Sequence, residues 1–158
     1  DPESIKEKDE YGDAAWWSAL DNAPAEVTLK LTEACPESIK ERNGNGYLPI
    51  HRACSGCSAP VEVTRKLMEA WPESIKEKDG CGSLPIHNAC GGQAPAEVTL
   101  KLMEAWPESI KEKDNNGSLP IHFALGNKAP LEVTLKLMEA WPESVKEKNS
   151  EECLPIHQ

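Results

Sequence analysis

Pro72 to Trp106 reads PESIKEKDGCGSLPIHNACGGQAPAEVTLKLMEAW, and the residues that follow, Pro107 to Trp141, repeat it as PESIKEKDNNGSLPIHFALGNKAPLEVTLKLMEAW. Looser copies run from Pro2 to Cys35 and from Pro36 to Trp71, and a truncated copy runs from Pro142 to Gln158. The tetrad Leu-Pro-Ile-His falls at 48–51, 84–87, 119–122 and 154–157, a spacing of 36, 35 and 35 residues. A period in this range is the signature of a stacked array, in which each unit buries its apolar face against its neighbours. Residues 1–158 are therefore read as one array, with units at about 9–42, 43–78, 79–113 and 114–148 and a partial unit at 149–158. The chain opens inside one repeat and stops inside another, which reads as an excised or processed piece of a longer array.

Within one unit, Pro95 opens a helix that runs through AEVTLKLMEAW. Val98, Leu102 and Ala105 form one stripe at helical spacing, and Thr99, Met103 and Trp106 form the next, with Glu97, Lys101 and Glu104 opposite. Leu100 stands at the edge of that face, where the preceding unit has Arg65. Pro107 ends the helix, because the residue before a proline is driven out of the α region. Upstream, Pro85 starts a shorter helix that Gly91 and Gly92 stop. Asp79 with Gly82, and Asp114 with Gly117, are turn signals, the glycine taking the positive φ. The linking segment Glu-Ser-Ile-Lys-Glu-Lys carries one apolar anchor, Ile75 or Ile110, expected to dip into the core. It is otherwise expected to be a solvated surface, and the units are expected to be joined by turns, short 3₁₀ segments or short hairpins. The fold class is all-α.

Composition narrows the functional classes. The 158 residues carry 17 Lys and Arg against 27 Asp and Glu, a formal net charge of −10. That balance argues against nucleic acid and anionic membranes as partners. No apolar run reaches the roughly 18 residues of a membrane span. Of the six cysteines, only Cys54 and Cys90 occupy equivalent positions. A disulfide framework would recur with the repeat, so reduced thiols and a cytoplasmic or nuclear setting are expected.

The run Asp-x-x-Gly, Pro-Ile-His-x-Ala and a second amphipathic helix closing on Leu-Met-Glu resembles the ankyrin repeat. The match rests on Leu48-Pro49-Ile50-His51, Leu84-Pro85-Ile86-His87 and Leu119-Pro120-Ile121-His122, and it spans nearly the whole chain. The resemblance implies a solenoid of helix–turn–helix units and a structural, hydrogen-bonding role for each histidine at the start of its short helix. It also implies partner binding on a concave face of turn tips and short helices. There are departures. Leu stands where the family has a capping Thr, the unit is about two residues longer than usual, and Trp-Pro replaces the family's Gly-Ala. A tetratricopeptide array, with two comparable helices per unit, fits a unit with one very short helix poorly.

Variation between the copies concentrates at the turn tips, at the residue after each histidine and in the loops between helices. These positions give the candidate partner-binding face: Tyr11, Asp13, Ser18, Asn43, Asn45, Tyr47, Arg52, Cys81, Ser83, Asn88, Asn115, Asn116, Ser118 and Phe123. Replacing Phe123 and Arg52 together by Ala is expected to weaken partner binding with little effect on melting. The inter-helix loops differ too: Leu20 to Pro24 in the first unit, Cys54 to Pro60 in the second.

Other constellations carry less. His51, Cys54 and Cys57 have metal-like spacing, with Cys90 or His87 as further ligands, but a small buried Cys is equally a core residue, and neither a metal nor a cofactor is expected. Trp16 and Trp17 replace Ile and His in the first unit; Trp16 is expected in the core and Trp17 over the open end of the stack. Trp71, Trp106 and Trp141 are expected to pack. Asn116-Gly117-Ser118 is a glycosylation acceptor by pattern, relevant only in a secreted protein. No nucleophile has a base beside it in sequence and no Gly-rich loop cradles phosphate, so the chain is read as a non-catalytic protein-interaction module. Its alternatives are self-association through the open repeat ends and a zinc-dependent regulator.

Overall fold

The computed structural model describes residues 15–56 and 59–157, excluding the side chains of Ala15 and Trp16. Among the described residues the secondary structure is wholly helical, with eight α-helices and no strand. Short helices alternate with long ones: α1 (Ala15–Asn22), α2 (Ala25–Ala34), α3 (Pro49–Cys54), α4 (Val61–Ala70), α5 (Pro85–Gly91), α6 (Ala96–Ala105), α7 (Pro120–Gly126) and α8 (Leu131–Ala140). Prolines set the boundaries. Pro60, Pro95 and Pro130 stand in extended backbone immediately before their helices, one residue outside the first turn. Each long helix ends at Cys35, Trp71, Trp106 or Trp141, just before the next proline.

That proline begins a single turn of 3₁₀ helix, at Pro36–Lys40, Pro72–Lys76, Pro107–Lys111 and Pro142–Lys146. Its isoleucine is buried in each complete unit, at Ile39, Ile75 and Ile110. The chain then runs extended into the turn. There Asp79 Oδ1 accepts the backbone N–H groups of Cys81 and Ser83 at 2.8 and 2.9 Å, and Asp114 Oδ1 accepts those of Asn116 and Ser118 at 2.9 and 2.8 Å. Asn43 and Asn149 do the same in their units. Gly46, Gly82 and Gly117 take φ of 76°, 74° and 71°, the left-handed region that glycine enters without a steric penalty. In the last turn Glu152 takes that place, with φ of 59°.

The short helices pack on one another in chain order, α1 on α3, α3 on α5, α5 on α7 and α7 on the final 3₁₀ turn, Pro155–His157. The long helices form a second row, α2, α4, α6 and α8. Between the rows lies one apolar core in which Leu84, Ile86, Val98 and Leu102 and their counterparts are almost wholly buried. Each such side chain contributes roughly 1.5–3 kcal/mol before the entropy of ordering it is subtracted. Ala105, expected on the apolar stripe, is exposed, as are Ala70 and Ala140: the last turn of each long helix rises off the core as the chain leaves for the connector. Trp71, Trp106 and Trp141 are half-buried against the core, and Lys76 lies over the Trp106 ring at 5.9 Å. Trp17, expected to cover an open end, is buried within the core in the histidine's place. None of Cys35, Cys54, Cys81, Cys90 and Cys153 is in a disulfide. No helix among the described residues is long and apolar enough to cross a membrane.

Candidate functional site

The histidines fix how consecutive units sit. His51 Nδ1 accepts the Leu48 backbone N–H at 3.1 Å, and His87 and His122 accept those of Leu84 and Leu119, each at 3.0 Å. This bond is the returning half of a capping box, in which the side chain at the third helical position satisfies the backbone N–H of the residue before the helix. An acceptor at Nδ1 leaves the proton on Nε2. Nε2–H then donates to the next connector, from His51 to the Glu77 carbonyl at 2.9 Å and from His87 to the Glu112 carbonyl at 3.0 Å. In His122 the repeat is incomplete: Nε2 is buried and closes no hydrogen bond. Burial holds all three rings below the ordinary pKa of 6.5, His87 down to about 4. The nearby backbone groups of Glu147 and Cys153 pull His122 the other way.

Both nitrogens of His51 are thus spent on backbone, so a metal there would have to break one of these bonds. Cys54 is fully buried and its thiol is pushed far above the usual range by desolvation, then by the neighbouring Cys90, itself pushed up to about 12. Cys57 lies outside the described residues. Among the described residues no three His, Cys, Asp or Glu side chains cluster as a metal site would require.

The connectors link units through charge as well. Arg42 meets Glu77 at 2.8 Å, Lys78 meets Glu112 at 3.8 Å and Lys113 meets Glu147 at 3.4 Å, while Arg42 and Lys78 also donate to the carbonyls of Lys78 and Lys113. These pairs are partly exposed and contribute at most about 1 kcal/mol each. At the turn tips, Asn115 N–H donates to the Cys81 carbonyl at 3.0 Å and Ser150 N–H to that of Asn116 at 2.9 Å.

Across this frame runs a groove of about 720 Å³. Five of the expected partner-binding residues line it: Asn43, Asn45, Tyr47, Arg52 and Asn88. Arg52 Nε donates to Asp21 Oδ1 at 2.8 Å, tying α3 to α1 across the groove. Tyr47 stands edge-on to His51 with ring centroids 6.1 Å apart, and its hydroxyl pKa is raised by burial and then by the Asp79 charge. The remaining expected residues divide. Ser18, Cys81, Asn115 and Asn116 are exposed outside the groove. Ser83 and Ser118, expected on the exposed face, are buried at 6% each, because their N–H groups close the Asp turns and draw them inward. Tyr11 and Asp13 lie outside the described residues.

Phe123 lies in an adjoining smaller hollow of about 300 Å³, edge-on to His87 at 5.5 Å. It supports the histidine, so the Phe123 and Arg52 double replacement would disturb packing and the Asp21 ion pair along with any partner contact. Several lining residues lie where the sequence reading looked only at loop length or at helix stops: Asp21, Ser55, Gly91, Gly92, Gln93 and Asn127. They cluster where the short helices end, in or beside the loops whose lengths differ between copies. That variation was the one signal available for them.

No known protein-family model matches the chain, and no curated protein is similar to it in sequence.

Proposed function

We propose that the chain is an ankyrin-like solenoid acting as a non-catalytic module that binds another protein through this groove. One observation carries the reading: residues that differ from copy to copy, among them Asn45, Arg52 and Asn88, converge on one groove above a core that hardly varies. A rigid array offers such a surface with little ordering cost on binding. The acidic balance favours neither nucleic acid nor anionic membrane as the partner. The test is affinity capture with the chain and with a variant carrying Asn88→Leu and Asn127→Leu, which reshape the groove without entering the core. A partner held by the first and lost by the second supports the reading. A partner held equally by both moves the site elsewhere.

A second reading, self-association, has its own observation. Leu131, Leu135 and Met138 are exposed on α8, whereas their counterparts on α6, Ala96, Leu100 and Met103, are half-buried beside α8. An apolar edge of this kind invites a further helix. Light scattering against concentration distinguishes it: a mass that stays monomeric at all concentrations excludes self-association.

A further inference from the structure

We propose, resting on the groove being the binding surface, that its partner presents an uncharged, extended peptide segment, recognised through its backbone amides by a row of side-chain carboxamides. The chain carries a net charge of −10, but the groove does not share it. Its charged lining residues among those described are Arg52 and Asp21, which neutralise one another at 2.8 Å. His51 is neutral, with Nε2–H on Glu77. What remains is carboxamide, hydroxyl, glycine and the indole of Trp17, all uncharged. No glutamate among the described residues lines the groove; Glu62, Glu73, Glu108 and Glu143 each pair with a cation on their own helix or connector turn.

The carboxamides are set for a peptide group. Asn88 Nδ2 donates to the Leu84 carbonyl at 3.4 Å, and Asn127 Nδ2 donates to that of Phe123 at 3.1 Å. Each bond uses one of two N–H groups and anchors the amide on its own helix, leaving Oδ1 and a second N–H to pair with an incoming C=O and N–H. Asn45 and Gln93 are exposed on the same groove. Units spaced as packed helices are, roughly 8–10 Å apart, match about three residues of extended chain at about 3.3 Å each. The lining carboxamides come from three consecutive units, Asn43 and Asn45 from the second, Asn88 and Gln93 from the third and Asn127 from the fourth, a span that matches a segment about ten residues long. A charged side chain entering this groove would lose hydration and find no free counter-charge among the described residues.

The test is selection from a library of random peptides of about twelve residues, displayed on phage, panned against the chain and against the Asn88→Leu, Asn127→Leu variant. The expected result is enrichment of peptides without net charge. Their affinity should fall at least about tenfold on the variant and change less than about twofold between about 50 and 500 mM salt. Enrichment of basic peptides whose affinity collapses with salt overturns the uncharged class while leaving the groove as the site if the variant loses them. Peptides bound equally by the variant overturn the groove reading as well. Failure to enrich any peptide overturns the peptide class, and capture of a folded partner that the variant loses would then leave the proposed function standing.

Discussion

His51 Nε2 lies 2.9 Å from the carbonyl oxygen of Glu77, so a ring that caps the start of its own short helix also holds the connector leading into the next unit. The same bond joins His87 to Glu112 and stops at His122. His51 and His87 are each both cap and inter-unit fastener, and each does this only while neutral, because protonation removes the Nδ1 acceptor.

A pH dependence follows. The folded rings titrate below the ordinary 6.5, His87 at about 4, chiefly because burial opposes the charged form; Asp79 beside His51 and Asp114 beside His87 only partly offset it. From pH 6.5 down to about 4 the unfolded chain binds protons that the folded chain refuses, so stability is full above that interval and declines through it. Urea unfolding at pH 7 and pH 4.5 should show a lower midpoint at the acid end, and His87→Phe should flatten part of the decline. A midpoint unchanged or higher at pH 4.5 would remove the fastener account.

The turn glycines make a paired prediction. Gly82 has φ of 74°, and an added Cβ would press on Asn115 Oδ1 and come within 2.9 Å of the Asn115 backbone nitrogen. Gly82→Ala should cost at least about 1–2 kcal/mol. Glu152 occupies the equivalent place with φ of 59°, so Glu152→Gly should raise stability by roughly 1 kcal/mol. Thermal melts of the two variants moving the same way would contradict this reading of the turn.

Most of the frame was legible because proline and glycine punctuate every unit. The helix limits, the buried isoleucine and the Asp turns follow from local chemistry, whereas the connector, open between turn, hairpin and 3₁₀ in the sequence, is 3₁₀. What was not legible depends on neighbours. The Arg42–Glu77 and Lys113–Glu147 pairs join residues about one period apart, and the connector read as mere solvated surface until the units were stacked. Ser83 and Ser118 share a variable position with Tyr47 and Cys153 and look polar, but the turn that shapes the tip also buries them. Of the groove, the tip and post-histidine residues were legible as variable positions, while Asp21, Gln93 and Asn127 were hidden in loops whose course no periodicity dictates.

Leucines on the long helices separate core from edge. Leu102 is 2% exposed and Leu135 is 48% exposed, although both sit on the same repeated helix two positions apart in the unit. Leu102→Ala should cost about 2–5 kcal/mol, and Leu135→Ala should stay within about 0.5 kcal/mol. Chemical denaturation of both variants checks it. A large loss at Leu135 in dilute monomer would mean that the α8 edge is packed.

The most direct measurement of the central claim places a photo-crosslinking residue at Asn88, in the groove, and separately at Glu104, on the exposed side of α6, and irradiates each chain in lysate. The account expects a discrete adduct from position 88 that excess uncrosslinkable chain competes away, and none from position 104. The same competed adduct arising from position 104, with position 88 silent, would contradict it and move the working surface to the long helices.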